Sequence, residues 1–221
     1  MLSAPMLDEQ SRVQGGPYRL RTSAFVRKET GESPILVVFV HGDAPFNKPD
    51  YQYAFAGNVA ATHRDVVAVG LLRPGYTDPQ GNKSDGERGQ ATGDSLNVTN
   101  TEAIAVAIGG FKHRWNARKV VVAAHSGGAT LVANVLGRHL ASIDEALLVS
   151  SVFDVAKWRQ HMLEQTGAPV FQGKIESLSP IEQITGMSDQ VEVTLMVGAQ
   201  DEVVPPSFSE HSEAVARKSL G

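Results

Sequence analysis

The sequence predicts an α/β domain in which a mostly parallel central sheet is flanked by helices, with residues 1–221 forming one unit. Three observations carry this. Short, nearly continuous apolar runs recur along the chain, as strands of a buried parallel sheet require. Segments with a helical period lie between them, and such alternation is the pattern of parallel strands joined by crossover helices. Of the 221 residues, 42% are hydrophobic and 20% charged, with a formal net charge of -4, which suits one compact core and excludes a disordered chain.

The elements follow in order. Residues 18–26, YRLRTSAFV, have strand character and are bounded by GGPY and KETGESP. Ile35 to His41 is an apolar run expected to be buried on both faces of the sheet, and similar runs follow at 65–71, 119–125, 146–151 and 191–198. In 102–118, Ile104, Ile108, Phe111 and Trp115 form one stripe of a helix. Val132, Val135, Leu136 and Leu140 do the same in 127–140. After the last strand run, residues 205–221 read as a helix with Ser207 or Ser209 as cap and Phe208, Ala214 and Val215 on one side.

Several function classes drop out. The 20 basic and 24 acidic residues form no dense cationic stripe, so no nucleic acid is expected as a partner. Lys112, His113, Arg114, Arg118 and Lys119 read instead as the cationic end of a helix, complementing its dipole. No apolar run is long enough to span a bilayer, and residues 1–16 lack a basic leader and an apolar core. The expectation is no membrane and a cytoplasmic protein. With no cysteine, thiolate metal sites and Cys nucleophiles are excluded. Residues 73–100 are rich in Gly, Asp and Asn and read as a long solvated loop near the site mouth. Its Asp78, Asp85, Glu87 and Asp94 lack the spacing of a calcium loop, and no phosphate-cradling or dinucleotide fingerprint occurs, so neither a metal nor another cofactor is expected.

Chemistry in such sheets collects at the C-terminal ends of the strands. There, KVVVAAHSGGAT passes from a strand directly into a helix with Ser126 at the corner and the small residues Ala124 and Gly128 two positions to either side. Ser126 reads either as the helix N-cap or as a nucleophile on a sharp strained turn. The preceding strand and following helix favour the nucleophile, with the Gly127 amide at a helix N-terminus aimed at a developing oxyanion.

The phrases VVFVHGDAP at 37–45, LLRPGYTD at 71–78, AAHSGGAT at 123–130 and LMVGAQDEVVPP at 195–206 together resemble the α/β-hydrolase superfamily, in its order and spacing and over nearly the whole chain. Ala124 stands where that family usually has Gly. The resemblance implies a serine hydrolase cleaving an ester or related acyl bond of a small molecule through an acyl-enzyme on Ser126. It implies oxyanion donors at the amides of Asp43 and Gly127, and Asp201 as the acid that orients an imidazole. Asp154 holds the alternate acid position of some relatives. Residues 152–190 fall where relatives keep a cap, and Trp158, Met162 and Phe171 are candidates to line an apolar acyl pocket.

The base is the departure from the family pattern. The expected final strand and its histidine are missing from the sequence, and we expect the natural chain to be longer. His211 follows Asp201 by ten residues inside the expected helix, where a solvated role is the simpler reading. His125 lies on the strand before Ser126, and His161 lies in the 152–190 segment. An unpaired sheet edge invites a second copy, so a homo-oligomer is among the expectations. The competing reading is a catalytically impaired binding protein on the same fold.

Overall fold

The computed structural model describes residues 12–89, 92–211 and 213. A single seven-stranded sheet runs through it in the order β1-β2-β4-β3-β5-β6-β7. The strands are β1 (Arg12–Gly15), β2 (Tyr18–Val26), β3 (Ile35–Val40), β4 (Val66–Leu71), β5 (Lys119–His125), β6 (Glu145–Val149) and β7 (Glu192–Met196). Between them lie α1 (Tyr51–Thr62), α2 (Val98–Arg114), α3 (Gly127–Gly137) and α4 (Val155–Thr166). β1 and β2 join antiparallel at one edge, and every pairing from β4 to β7 is parallel. The mostly parallel sheet expected from the apolar runs is present.

One face of the sheet carries the main core. Leu36, Val38 and Val40 of β3, Val120, Val122 and Ala124 of β5, and Ala146 and Leu148 of β6 all point to it and are buried. They belong to one cluster with Ile104, Ile108 and Phe111 of α2 and Leu131, Val132 and Val135 of α3. Of the stripes read from the sequence, Ile104, Ile108, Phe111, Val132, Val135 and Leu136 are buried, while Trp115 and Leu140 are half-buried just past the helix ends. The opposite face is covered less. Helix α1 lays Ala56 and Ala60 on Val66 and Ala68, leaving the alternate residues of β3, β5 and β6 only half-buried among the described residues. The expectation that these runs are buried on both faces holds in full for β4 alone, whose six residues are all buried.

Four local details differ from expectation. Strand β1 and helices α1 and α4 carry structure that the apolar patterns did not announce. The helix expected over 102–118 begins four residues earlier, because the Asn97 side chain accepts from the Asn100 amide at 2.9 Å and caps it there. It ends at Arg114, with Lys112, His113 and Arg114 in its last turn, while Arg118 and Lys119 lie beyond it and pair with Asp65 and Glu145. The segment expected as a solvated loop is tied down: Asp78 and Ser84 are fully buried, Asp78 facing Arg21 and Tyr53, and Ser84 bridging the Arg21 amide and the Leu72 carbonyl.

The chain from β6 to β7 holds α4 and three single 3₁₀ turns, Pro169–Phe171, Pro180–Glu182 and Ile184–Gly186. Past β7, helical backbone resumes at 206, and Phe208 rests on His161 and Lys157 of α4. Ala214, Val215 and residues 1–11 lie outside the described residues. Among the described residues no strand follows β7, and no helix is long and apolar enough to cross a membrane.

Candidate active site

The strand-to-helix corner at Ser126 has φ 50° and ψ -125°, a left-handed conformation that β-carbon-bearing residues adopt at a cost of about 1–3 kcal/mol. Ser126 makes no side-chain cap bond to α3, so its N-cap reading fails. Its amide donates to the Val149 carbonyl at 2.8 Å, anchoring the corner to the neighbouring strand. The glycines after it are required by contact. A β-carbon at Gly128 would overlap the His41 carbonyl, and one at Gly127 would stand 2.5 Å from the Asp43 carboxylate. The first turn of α3 is thereby pressed against the 41–44 loop.

That loop is held from both sides. On one, the Gly42 amide donates to the Tyr51 hydroxyl at 2.6 Å, and the same hydroxyl meets His125 Nδ1 at 2.9 Å. On the other, the buried Asp43 carboxylate accepts from Arg73 Nη1 at 2.8 Å, from the Tyr76 hydroxyl at 3.3 Å and from the Gly93 amide at 2.8 Å. Burial opposes the charge of Arg73, but Tyr76 and Asp43 outweigh it and hold the guanidinium above its ordinary pKa. His41 is fully buried beneath. The Arg73 amide donates to its Nε2 at 3.0 Å, so its proton sits on Nδ1, which bonds the Gly42 carbonyl at 2.7 Å. Burial, with the charge of Arg73 behind it, pushes this imidazole well below its ordinary pKa and keeps it neutral.

The side chain of Asp43 is thus consumed in structure, while its amide donates to no acceptor among the described residues. Gly127 opens α3 and carries one of the amides with no carbonyl within the helix to bond. These are the two amides that the sequence pointed to as oxyanion donors.

Asp201 lies in the turn after β7. Its Oδ1 accepts from the Val203 and Val204 amides at 3.0 and 2.8 Å, and its Oδ2 from the Ser150 hydroxyl at 2.7 Å. Burial raises its pKa, but these bonds and the charge of His125 outweigh it, so the carboxyl titrates below its ordinary value. Asp154 is placed otherwise: it caps α4, accepting from the Lys157 amide at 2.9 Å.

The histidines do not converge on this group. His211 is exposed on the helical stretch beyond 206, and the His161 ring packs on Phe208. His125 is exposed, is depressed in pKa by burial of part of its ring, and feels the charges of Asp201 and Asp43. Among the described residues no imidazole hydrogen-bonds Ser126 or Asp201. Arg73, Tyr76, Tyr51 and Ser150 are the site residues that sequence reasoning missed. Arg73 and Tyr76 stand within the quoted phrase LLRPGYTD; Tyr51 had no local signal.

Two clefts adjoin the site. One, of about 10 Å³, lies between Ser126, Asp43 and Gly127 and the side chains of Val152, Val155 and Trp158. The other, of about 480 Å³ and mostly apolar, opens on the less covered sheet face between Phe39, Tyr51, Phe55, Leu147 and Val149, with His125 at its side. Of the residues expected to line a pocket, Trp158 does so and Phe171 backs it edge-on at 5.8 Å. No metal-binding group of His, Asp and Glu occurs among the described residues.

No family model and no curated protein matches the sequence. Solved structures do match in fold. An esterase of Pyrococcus furiosus superposes with a TM-score of 0.66 at 11% identity, over 94% of this chain and 77% of that one. Est1E of Butyrivibrio proteoclasticus, solved with ferulic acid bound, gives 0.61 at 13% identity, over 95% and 97%. Prolyl oligopeptidase B of Galerina marginata gives 0.69 at 15% identity, over 97% of this chain and 32% of that longer one.

Proposed function

We propose that this chain, which has the α/β-hydrolase fold of those esterases and peptidases, is a serine hydrolase that cleaves an ester or similar acyl bond of a small molecule. The observation that carries the reading is Ser126. Its strained backbone conformation serves no capping bond, and it stands beside two amides, those of Asp43 and Gly127, that donate to no acceptor among the described residues. The fold's esterase neighbours support the hydrolase class.

In the proposed reaction, Ser126 Oγ attacks the carbonyl carbon and the oxyanion takes the hydrogen bonds of Asp43 and Gly127. The proton of Ser126 passes through an imidazole to the departing alcohol oxygen as its bond to the acyl carbon breaks. Water then attacks the acyl-enzyme, the acid leaves, and Ser126 regains its proton. Asp201, anionic over the whole neutral range, supplies the charge that favours the imidazolium; His125 is the imidazole on which that charge acts in this structure. That no imidazole bonds Ser126 among the described residues favours one second reading, a binding protein on this fold with an impaired site.

Release of p-nitrophenol from p-nitrophenyl acetate separates the two. The hydrolase reading expects release that Ser126→Ala abolishes; equal slow release from both proteins would support the binding protein.

A further inference from the structure

Beside the Ser126 corner stands a second one of similar build. Strand β6 ends at Val149, and Ser150 after it has φ 47°, again in the left-handed region that disfavours a residue with a β-carbon. The Ser126 amide donates to the Val149 carbonyl at 2.8 Å, and the Ser150 amide donates to the Met196 carbonyl at 2.7 Å. Each corner is tied to the last residue of the next strand. Val149 and Ser150 thus join the Ser126 corner to β7, whose following turn carries Asp201.

Ser150 is 8% exposed, and its hydroxyl donates to Asp201 Oδ2 at 2.7 Å. Oδ1 is occupied by the amides of Val203 and Val204. A carboxylate oxygen accepts about two donors, so among the described residues Asp201 keeps one place open, and it is on Oδ2. The two amides of its own turn pin one oxygen. The Ser150 hydroxyl, coming from another strand end, pins the other and with it the plane of the carboxylate. Glycine would sit at this corner without strain; what serine adds is the hydroxyl.

We infer that Ser150 is a positioning residue for the reaction of Ser126: its hydroxyl fixes the Asp201 carboxylate so that the open place on Oδ2 is where an imidazole N–H takes its charge-assisted bond. This rests on the proposed hydrolase reading and adds to it the residue that aims its acid. Asp201 is faced by the Ser150 hydroxyl after β6, by the charge of His125 on β5 and by the two amides of its own turn. Burial raises the pKa of Asp201, while the Val204 amide, Ser150, the Val203 amide and His125 lower it. Removing the hydroxyl therefore lets the carboxyl titrate higher. Because Ser150 acts through Asp201, its loss slows the reaction without weakening substrate binding.

The test uses Ser150→Ala and Ser150→Gly, both without the hydroxyl, the second also without the strained β-carbon. If Ser150→Ala does not fold, Ser150→Gly decides alone. Carbon-13 NMR follows the titration of the Asp201 carboxyl, its signal assigned through Asp201→Asn, and kcat and KM are measured with p-nitrophenyl acetate. In both variants Asp201 should titrate at higher pH than in the wild type, kcat should fall about tenfold, and KM should change less than about twofold. An unchanged Asp201 titration in a folded variant overturns the positioning role, whatever the rate. A fall in kcat in Ser150→Ala that Ser150→Gly does not share assigns the effect to the backbone and overturns it as well. So does a raised KM at unchanged kcat, which would place Ser150 in substrate binding. Release from the wild type no faster than from Ser126→Ala overturns the hydrolase reading itself, and the role of Ser150 in its reaction with it.

Discussion

Replacing Ser126 by glycine is expected to stabilise the protein. At φ 50° and ψ -125° the β-carbon of Ser126 is held in a conformation that glycine adopts without cost. Taking the strain at about 2 kcal/mol and subtracting about 1 kcal/mol for the greater freedom of glycine in the unfolded chain leaves a gain of about 1 kcal/mol. For a chain of this size that raises Tm by about 2–4 °C. Ser126→Ala is the control. It keeps the β-carbon, hence the strain, and removes a hydroxyl that makes no cap bond and no hydrogen bond to the described residues, so its Tm should stay within about 1 °C of wild type. Differential scanning calorimetry of the three proteins at neutral pH makes the comparison. A Ser126→Gly protein no more stable than Ser126→Ala would mean that the corner is unstrained, and the reasoning from backbone geometry to an exposed nucleophile would lose its footing.

Other perturbations probe the surroundings. Arg73→Met should cost about 3–5 kcal/mol in urea unfolding by leaving Asp43 buried without its cation, and adding Asp43→Asn should recover part of that; equal losses in the single and double variants would contradict the pairing. Asp201→Asn should lower esterase kcat by three to four orders of magnitude, by a loose analogy with serine proteases, and a loss under about tenfold would remove Asp201 from the mechanism. His41 is neutral in the fold and has its pKa lowered, so below its ordinary value of 6.5 the unfolded chain takes up the proton first. Stability should therefore decline as pH falls below 6.5, by up to about 1.4 kcal/mol per pH unit from this residue. His41→Asn should show a shallower decline, and identical slopes between pH 7.5 and 5.5 would contradict the assignment.

How far the site was legible follows from the range of the interactions that build it. Ser126 and its glycines are decided within a few residues, by a strand, a corner and a helix, and a local pattern suffices to find them. The Arg73–Asp43 pair joins loops after two different strands, and only the fold brings them together. The same is true of Asp78, read as a solvated loop residue and found buried against Arg21 of β2. Helix α1 escaped notice because the face it buries carries Gln52, Ala56 and Ala60 and so lacks the large apolar stripe that betrays α2. Strand β1 is four residues long and ends in glycine, too short for any period to register. The continuous apolar runs of β3, β5 and β6 marked them as strands but overstated how much of their second face is covered. The chain pattern offered only His211 as an imidazole for Ser126, on an expected helix, and among the described residues none is bonded there.

The central claim is that Ser126 is an activated nucleophile, and intact-mass measurement after exposure to a fluorophosphonate tests it most directly. The account predicts one adduct per chain on the wild type and none on Ser126→Ala. A folded wild-type protein that gains no adduct, or an adduct that persists in Ser126→Ala, would contradict it.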